Sequence, residues 1–121
     1  MQEEAALFKV LADPTRLRLA VLLSIRGETC VCMLAEALGE PDFKISRHLR
    51  IMRAAGLVVA RREGTWMHYR LVEARNDLER CLQKCFRDRL SGHPTVLEDL
   101  ERLGRTACGK QENCQDQRSS R

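Results

Sequence analysis

The periodicity of the chain changes at Leu57, and that change limits the folds open to it. Up to Gly56 the apolar residues recur at helical spacing. From Leu57 to Val72 the sequence LVVARREGTWMHYRLV is β-branched and aromatic, with Glu63-Gly64-Thr65 at its centre, which reads as a two-stranded hairpin. Helical spacing then resumes, with Leu78, Cys81, Leu82, Cys85 and Phe86 on one face. Ahead of the hairpin the punctuation divides the chain into four helices. Glu3 to Ala12 carries a stripe of Leu7, Val10 and Leu11. Asp13-Pro14 opens a second helix as cap and first position, with Leu17, Ala20, Val21 and Ile25 on its buried face and Gly27 at its end. A short helix from Cys30 to Leu38 stops at Gly39, and Phe43 to Ala55 follows, with Ile45, His48 or Leu49, and Met52 turned inward.

This order is mainly α with a small β-hairpin, the outline of a winged helix-turn-helix. Residues 1–92 form one DNA-binding and dimerisation domain, 93–104 suit a short C-terminal helix, and 105–121 read as a flexible tail containing Cys108 and Cys114. The core of a 121-residue chain with 4% aromatics is modest and suits completion by a second subunit. The opening MQEE is no export signal, and no apolar run reaches the roughly 20 residues of a membrane span, so a cytoplasmic, membrane-free protein is expected. In that compartment six cysteines point to ligands or reactive thiols rather than structural disulfides.

Charge singles out one segment. The net charge is +4, yet residues 41–72 carry a surplus of five positive charges and the rest of the chain sums to −1. That is the footprint of a polyanion reader. On the helix from Phe43 to Ala55 the inward residues leave Lys44, Ser46, Arg47, Arg50 and Arg53 to the outer surface, and Lys44, Ser46 and Arg47 in its first turns, with His48, are the base-reading candidates. Arg50 and Arg53 suit a phosphate or an internal ion pair, and Arg61 and Arg62 flank the hairpin tip as phosphate contacts would. Trp66 and Tyr69 suit packing of the hairpin on the core.

The cysteines leave more choices. Cys81 and Cys85 stand one turn apart, suited to a metal or, on an apolar stripe, to the core or a subunit interface. His68 and His93 read as structural. A thiol enzyme would need a nucleophile beside a base, and a zinc-stapled module would need closely spaced ligands. Neither pattern is present, so no enzymatic function is expected.

ADPTRLRLAVLL, CVC, KISRHLRIMRAAGLV and REGTWMHYRL, in this order, resemble the ArsR/SmtB family of metalloregulatory repressors, most closely its arsenic-responsive members. The resemblance covers residues 5–90. It implies a homodimer built on the first helix and the helix over 76–90, bound to two-fold operator double-stranded DNA until an inducer arrives. It also implies that Cys30 and Cys32 are thiolate ligands for As(III) or Sb(III), soft ions that favour sulfur. Many members carry a third cysteine where this chain has Ala35, so Cys108 or Cys114 enters as a further candidate ligand. Other thiophilic signals, Cd(II), Pb(II), Zn(II) or thiol oxidation, are the alternative. If both cysteines lie within a regular helix, positions i and i+2 sit about 200° apart around the axis. Binding one ion would then unwind the first turn and displace the recognition helix, and a disulfide would be badly placed.

Overall fold

The computed structural model describes residues 1–106. Its elements are α1 (Gln2–Leu11), α2 (Pro14–Arg26), β1 (Thr29–Cys30), α3 (Val31–Leu38), α4 (Asp42–Ala54), β2 (Val58–Glu63), β3 (Trp66–Leu71), α5 (Asp77–Asp88) and α6 (Pro94–Thr106). The Asp13 carboxylate accepts from the amides of Thr15 and Arg16 at 2.9 and 3.1 Å, satisfying two of the free donors at the start of α2. Gly39 closes α3 in the left-handed region at φ 70°, and the Glu40 amide reaches back to the Ala35 carbonyl at 3.0 Å. This tight exit turns the chain into Pro41 and α4.

α2 is the centre of the fold. The sequence assigned it one buried face. Instead Leu19, Ala20, Val21, Leu22 and Leu23 are all buried, Leu17 is half-buried and Ile25 is exposed. The reason is that α1, α4, α5, α6 and β3 all pack on α2 and enclose it from several sides. Ile45, Leu49 and Met52 of α4 close the core from below, and Val58 and Tyr69 from the sheet.

The sheet has three strands rather than two, in the order β1-β3-β2, all antiparallel. β2 and β3 pair from Val58↔Leu71 to Glu63↔Trp66 around Gly64, which turns with φ 63°. The added strand is two residues long, with Thr29 opposite Tyr69 and Cys30 opposite His68. It moves the start of α3 from Cys30 to Val31.

α6 is firmly seated. Its Val96, Asp99, Leu103 and Thr106 face inward. Asp99 is fully buried, and both its oxygens are held: Arg18 donates from Nε to Oδ2 at 2.8 Å and from Nη2 to Oδ1 at 2.7 Å. Arg102 adds a bond to Oδ1 at 2.8 Å and reaches the Ala37 carbonyl at 2.6 Å. One carboxylate thereby joins α6 to α2 and, through Arg102, to α3.

Candidate nucleic-acid interface and thiol pair

The buried stripe of α4 leaves Lys44, Arg47, Arg50 and Arg53 exposed and Ser46 half-exposed. Lys44 pairs with Glu40 at 3.3 Å, an exposed contact of small worth. Among the described residues, Arg47, Arg50, Arg53 and Arg62 have no carboxylate within ion-pair distance and stand ready for an external anion. Phe43 lies in the first turn with 71% of its surface exposed, and sequence reasoning passed over it. Its place off the Ile45/Leu49/Met52 stripe was the available signal.

Two of the expected DNA-facing residues have partners within the protein. His48 is buried rather than outward: it lies on the Ile45–Leu49 side of α4, its Nδ1 3.3 Å from Nη1 of Arg16. A guanidinium only donates, so a hydrogen bond here requires Nδ1 to accept, with the ring proton on Nε2. Burial pushes the His48 pKa below its ordinary 6.5, and Arg16, Arg47 and Lys44 act in the same direction against the opposing charge of Asp13. Arg61 is at the wing as expected but already engaged, at 2.7 Å from both Glu28 and Glu63. The hydrogen bond from Arg61 holds the Glu28 carboxyl below the usual range.

A pH dependence follows from His48. A base whose folded pKa is depressed must take up a proton on unfolding at lower pH. Its contribution is present above the ordinary value of 6.5 and is lost as pH falls towards the folded pKa. The unfolding midpoint should therefore drop between about pH 7.5 and about pH 5.5, a window above the titration of the carboxylates. Thermal unfolding of His48→Asn checks this: its midpoint should change less across the window than that of the unaltered protein.

The thiol pair is arranged differently from the helical expectation. Cys30 ends β1 with extended backbone (φ −70°, ψ 144°), and Cys32 lies in the first turn of α3. The two sulfurs are 2.9 Å apart, with 1% and 4% of these residues exposed. The 200° separation does not apply, because only one of the two is in the helix. Two bonds of about 2.3 Å from sulfur to a shared ion at a tetrahedral angle place sulfurs roughly 3.7 Å apart. An ion shared by the pair must therefore move the two sulfurs apart, one on β1 and the other on α3. Ala35 is buried and contributes no sulfur.

The other cysteines separate. Cys81 and Cys85 are exposed on α5 and not in the core, because Leu78, Leu82 and Phe86 carry the packing on the adjoining part of the stripe. Cys108 and Cys114 lie outside the described residues. Among the described residues no group of three Cys, His, Asp or Glu side chains forms a metal cluster. His93 caps α6, its Nδ1 accepting from the Thr95 amide at 3.1 Å. His68 stands opposite Cys30 and 3.8 Å from Glu63. Tyr69 is buried and Trp66 half-buried against the core.

Helices α3 and α4, joined by a tight turn and flanked by a hairpin, define a winged helix-turn-helix domain. A family model described as "Bacterial regulatory protein, arsR family" matches residues 13–59. The arsenical resistance operon repressor of Escherichia coli is 55% identical over 65 residues, 54% of this chain and 56% of that protein. The chain thus spans little more than half the length of that relative. The uncharacterized HTH-type transcriptional regulator MJ1325 of Methanocaldococcus jannaschii is 45% identical over 74 residues, 61% of this chain and 83% of that one. Among solved structures, the homodimeric winged helix-turn-helix DNA-binding domain of Mb0332 from Mycobacterium bovis, a possible ArsR-family transcriptional regulator, superposes with a TM-score of 0.60. It is 34% identical and covers 77% of this chain and 86% of that one. The chain belongs to the arsR family of bacterial regulatory proteins. Among its described residues no helix is long and apolar enough to cross a membrane.

Proposed function

We propose that the protein is a dimeric repressor that holds operator DNA through α4 and the β2–β3 wing and releases it when As(III) or Sb(III) binds Cys30 and Cys32. The observation that carries this reading is the 2.9 Å approach of two buried sulfurs at the junction of β1 and α3. Cys30 is paired with the wing strand β3, and Cys32 belongs to the helix on which α4 packs. An ion bonded to both sulfurs pulls on the wing and on the support of the reading helix together. It shifts the equilibrium only as far as it binds the released shape more tightly. With arsenous acid each As–S bond forms as an As–OH bond breaks, and the thiol proton leaves with the hydroxide as water.

A groove of about 790 Å³ between α1 and α5 supports the dimer. Leu7, Leu57, Leu78, Leu82 and Phe86 line it together with charged residues such as Glu3, Glu4, Arg75 and Glu79, a mixed surface that a second copy would cover. The same sulfur geometry favours oxidation as a second reading. With a peroxide as oxidant, two S–H bonds give one S–S bond and the peroxide becomes two waters. Release by arsenite under reducing conditions separates the two.

DNA binding is tested on duplexes that the protein enriches from a random-sequence library. Arg47→Ala should weaken the enriched duplex by about tenfold and broaden the sequence preference. Arg62→Ala should weaken all sequences alike and lower the salt slope by about one. Fluorescence anisotropy on enriched and random duplexes reads both. Equal losses on the two duplexes for Arg47→Ala would remove α4 as the reading helix.

A further inference from the structure

We infer that Phe43 selects a thymine in the operator, through contact of its ring with the C5-methyl group on the major-groove edge of the base. This rests on the reading of α4 as the helix that enters DNA. It adds a residue that chooses sequence by apolar contact rather than by hydrogen bonding.

The fold has no use for this ring. Phe43 is 71% exposed, more than any other large apolar residue among the described residues except the terminal Met1. It belongs neither to the core nor to the side chains packed against the core. It does not line the groove between α1 and α5, so a second copy seated there would leave it in water.

A single exposed hydrophobic residue is ordinary on a protein surface. What sets Phe43 apart is its company. At about 100° per residue, Arg50, Phe43 and Arg47 fall within roughly 60° of one another around α4, with Phe43 between the two arginines. The buried stripe of Ile45, Leu49 and Met52 is centred roughly 150° away from Phe43. The ring therefore stands near the middle of the outward face. Arg47 and Arg50 on either side have no carboxylate within ion-pair distance among the described residues. The position is also fixed: the Pro41 carbonyl accepts from the amides of Lys44 and Ile45 at 3.1 and 3.2 Å and closes the first turn. In a helix lying in the major groove, the first turns are the part that meets base edges.

The chemistry of this face names its occupant. Two free guanidinium groups call for anions, and the DNA phosphates supply them. An aromatic ring between them calls for an apolar feature on the same ligand. Base edges in the major groove offer donors and acceptors, and the thymine methyl is the apolar group among them.

The test uses the full chain and the enriched duplex, with its thymines replaced one at a time by deoxyuridine, which pairs as thymine does and lacks only the methyl group. Fluorescence anisotropy reads the affinity. For the unaltered protein, one position in each half of the site should lose about fourfold on replacement, the worth of one buried methyl group. Phe43→Ala should bind the all-thymine duplex at least about fourfold more weakly and be indifferent to deoxyuridine at that position. An unchanged thermal midpoint shows that this exposed substitution leaves the fold intact. No thymine position responding in the unaltered protein would overturn the assignment. So would Phe43→Ala with full affinity, or with the same response to deoxyuridine as the unaltered protein. Arg47→Ala on the same duplexes reports on the reading beneath: equal losses on enriched and random DNA remove α4 as the reading helix, whereas a selective loss there with no thymine response removes Phe43 alone.

Discussion

Asp99→Ala should destabilise the protein by about 3 kcal/mol or more, the usual cost of stripping a buried ion pair of one partner. The carboxylate is fully buried and holds two guanidinium groups, those of Arg18 and Arg102. Its removal leaves Arg18, with 26% of its side chain exposed, beside a cavity and without its partner. The loss concerns three helices at once, since α6 is attached to α2 and α3 through this group. For a domain of this size the thermal midpoint should fall by about 10 °C or more. Arg102→Ala should cost less, because water replaces part of what that more exposed side chain provides. Asp99→Leu combined with Arg18→Met should recover much of the loss, as apolar replacements of a complete buried pair do. Urea unfolding of the three variants measures the series.

The second large effect concerns ligand binding. Cys30→Ala and Cys32→Ala should each lower arsenite affinity by about a hundredfold or more. Once one sulfur holds the ion, its neighbour 2.9 Å away binds intramolecularly, and that advantage disappears with either thiol. Alanine is the better probe here, since serine would bury a hydroxyl at positions that are almost fully enclosed. Titration of the S–As absorption reads the affinity. Unchanged affinity for the enriched duplex shows that each variant is folded.

Helix α4 was legible because Ile45, Leu49 and Met52 recur at helical spacing and leave the basic residues on the other face. The hairpin was legible from its β-branched run and Gly64. What escaped depends on partners remote in sequence. β1 is two residues long, and nothing local marks Thr29 and Cys30 as a strand until β3 lies beside them. The resulting shift of one residue at the start of α3 changed the chemistry of the site, because it takes Cys30 out of the helix and brings the sulfurs together. Asp99 looks like any acid of an amphipathic helix. Its role appears only when Arg18, 81 positions earlier, is placed against it. His48 was assigned both to the core face and to the DNA face, and its burial beside Arg16 becomes visible only once α2 and α4 are packed together. Cys81 and Cys85 share a helical stripe with core residues, but a stripe is wider than the strip the core covers.

On the proposed function, the Cys30/Cys32 junction controls the grip of α4 and the wing on DNA. Fluorescence anisotropy of the enriched duplex, titrated with the reduced protein with and without saturating sodium arsenite, tests it most directly. The unaltered protein should lose at least about tenfold in DNA affinity on adding arsenite, a coupling of about 1.4 kcal/mol. Cys30→Ala should bind the duplex equally well in both conditions. Equal release of the unaltered and Cys30→Ala proteins by arsenite would contradict the account.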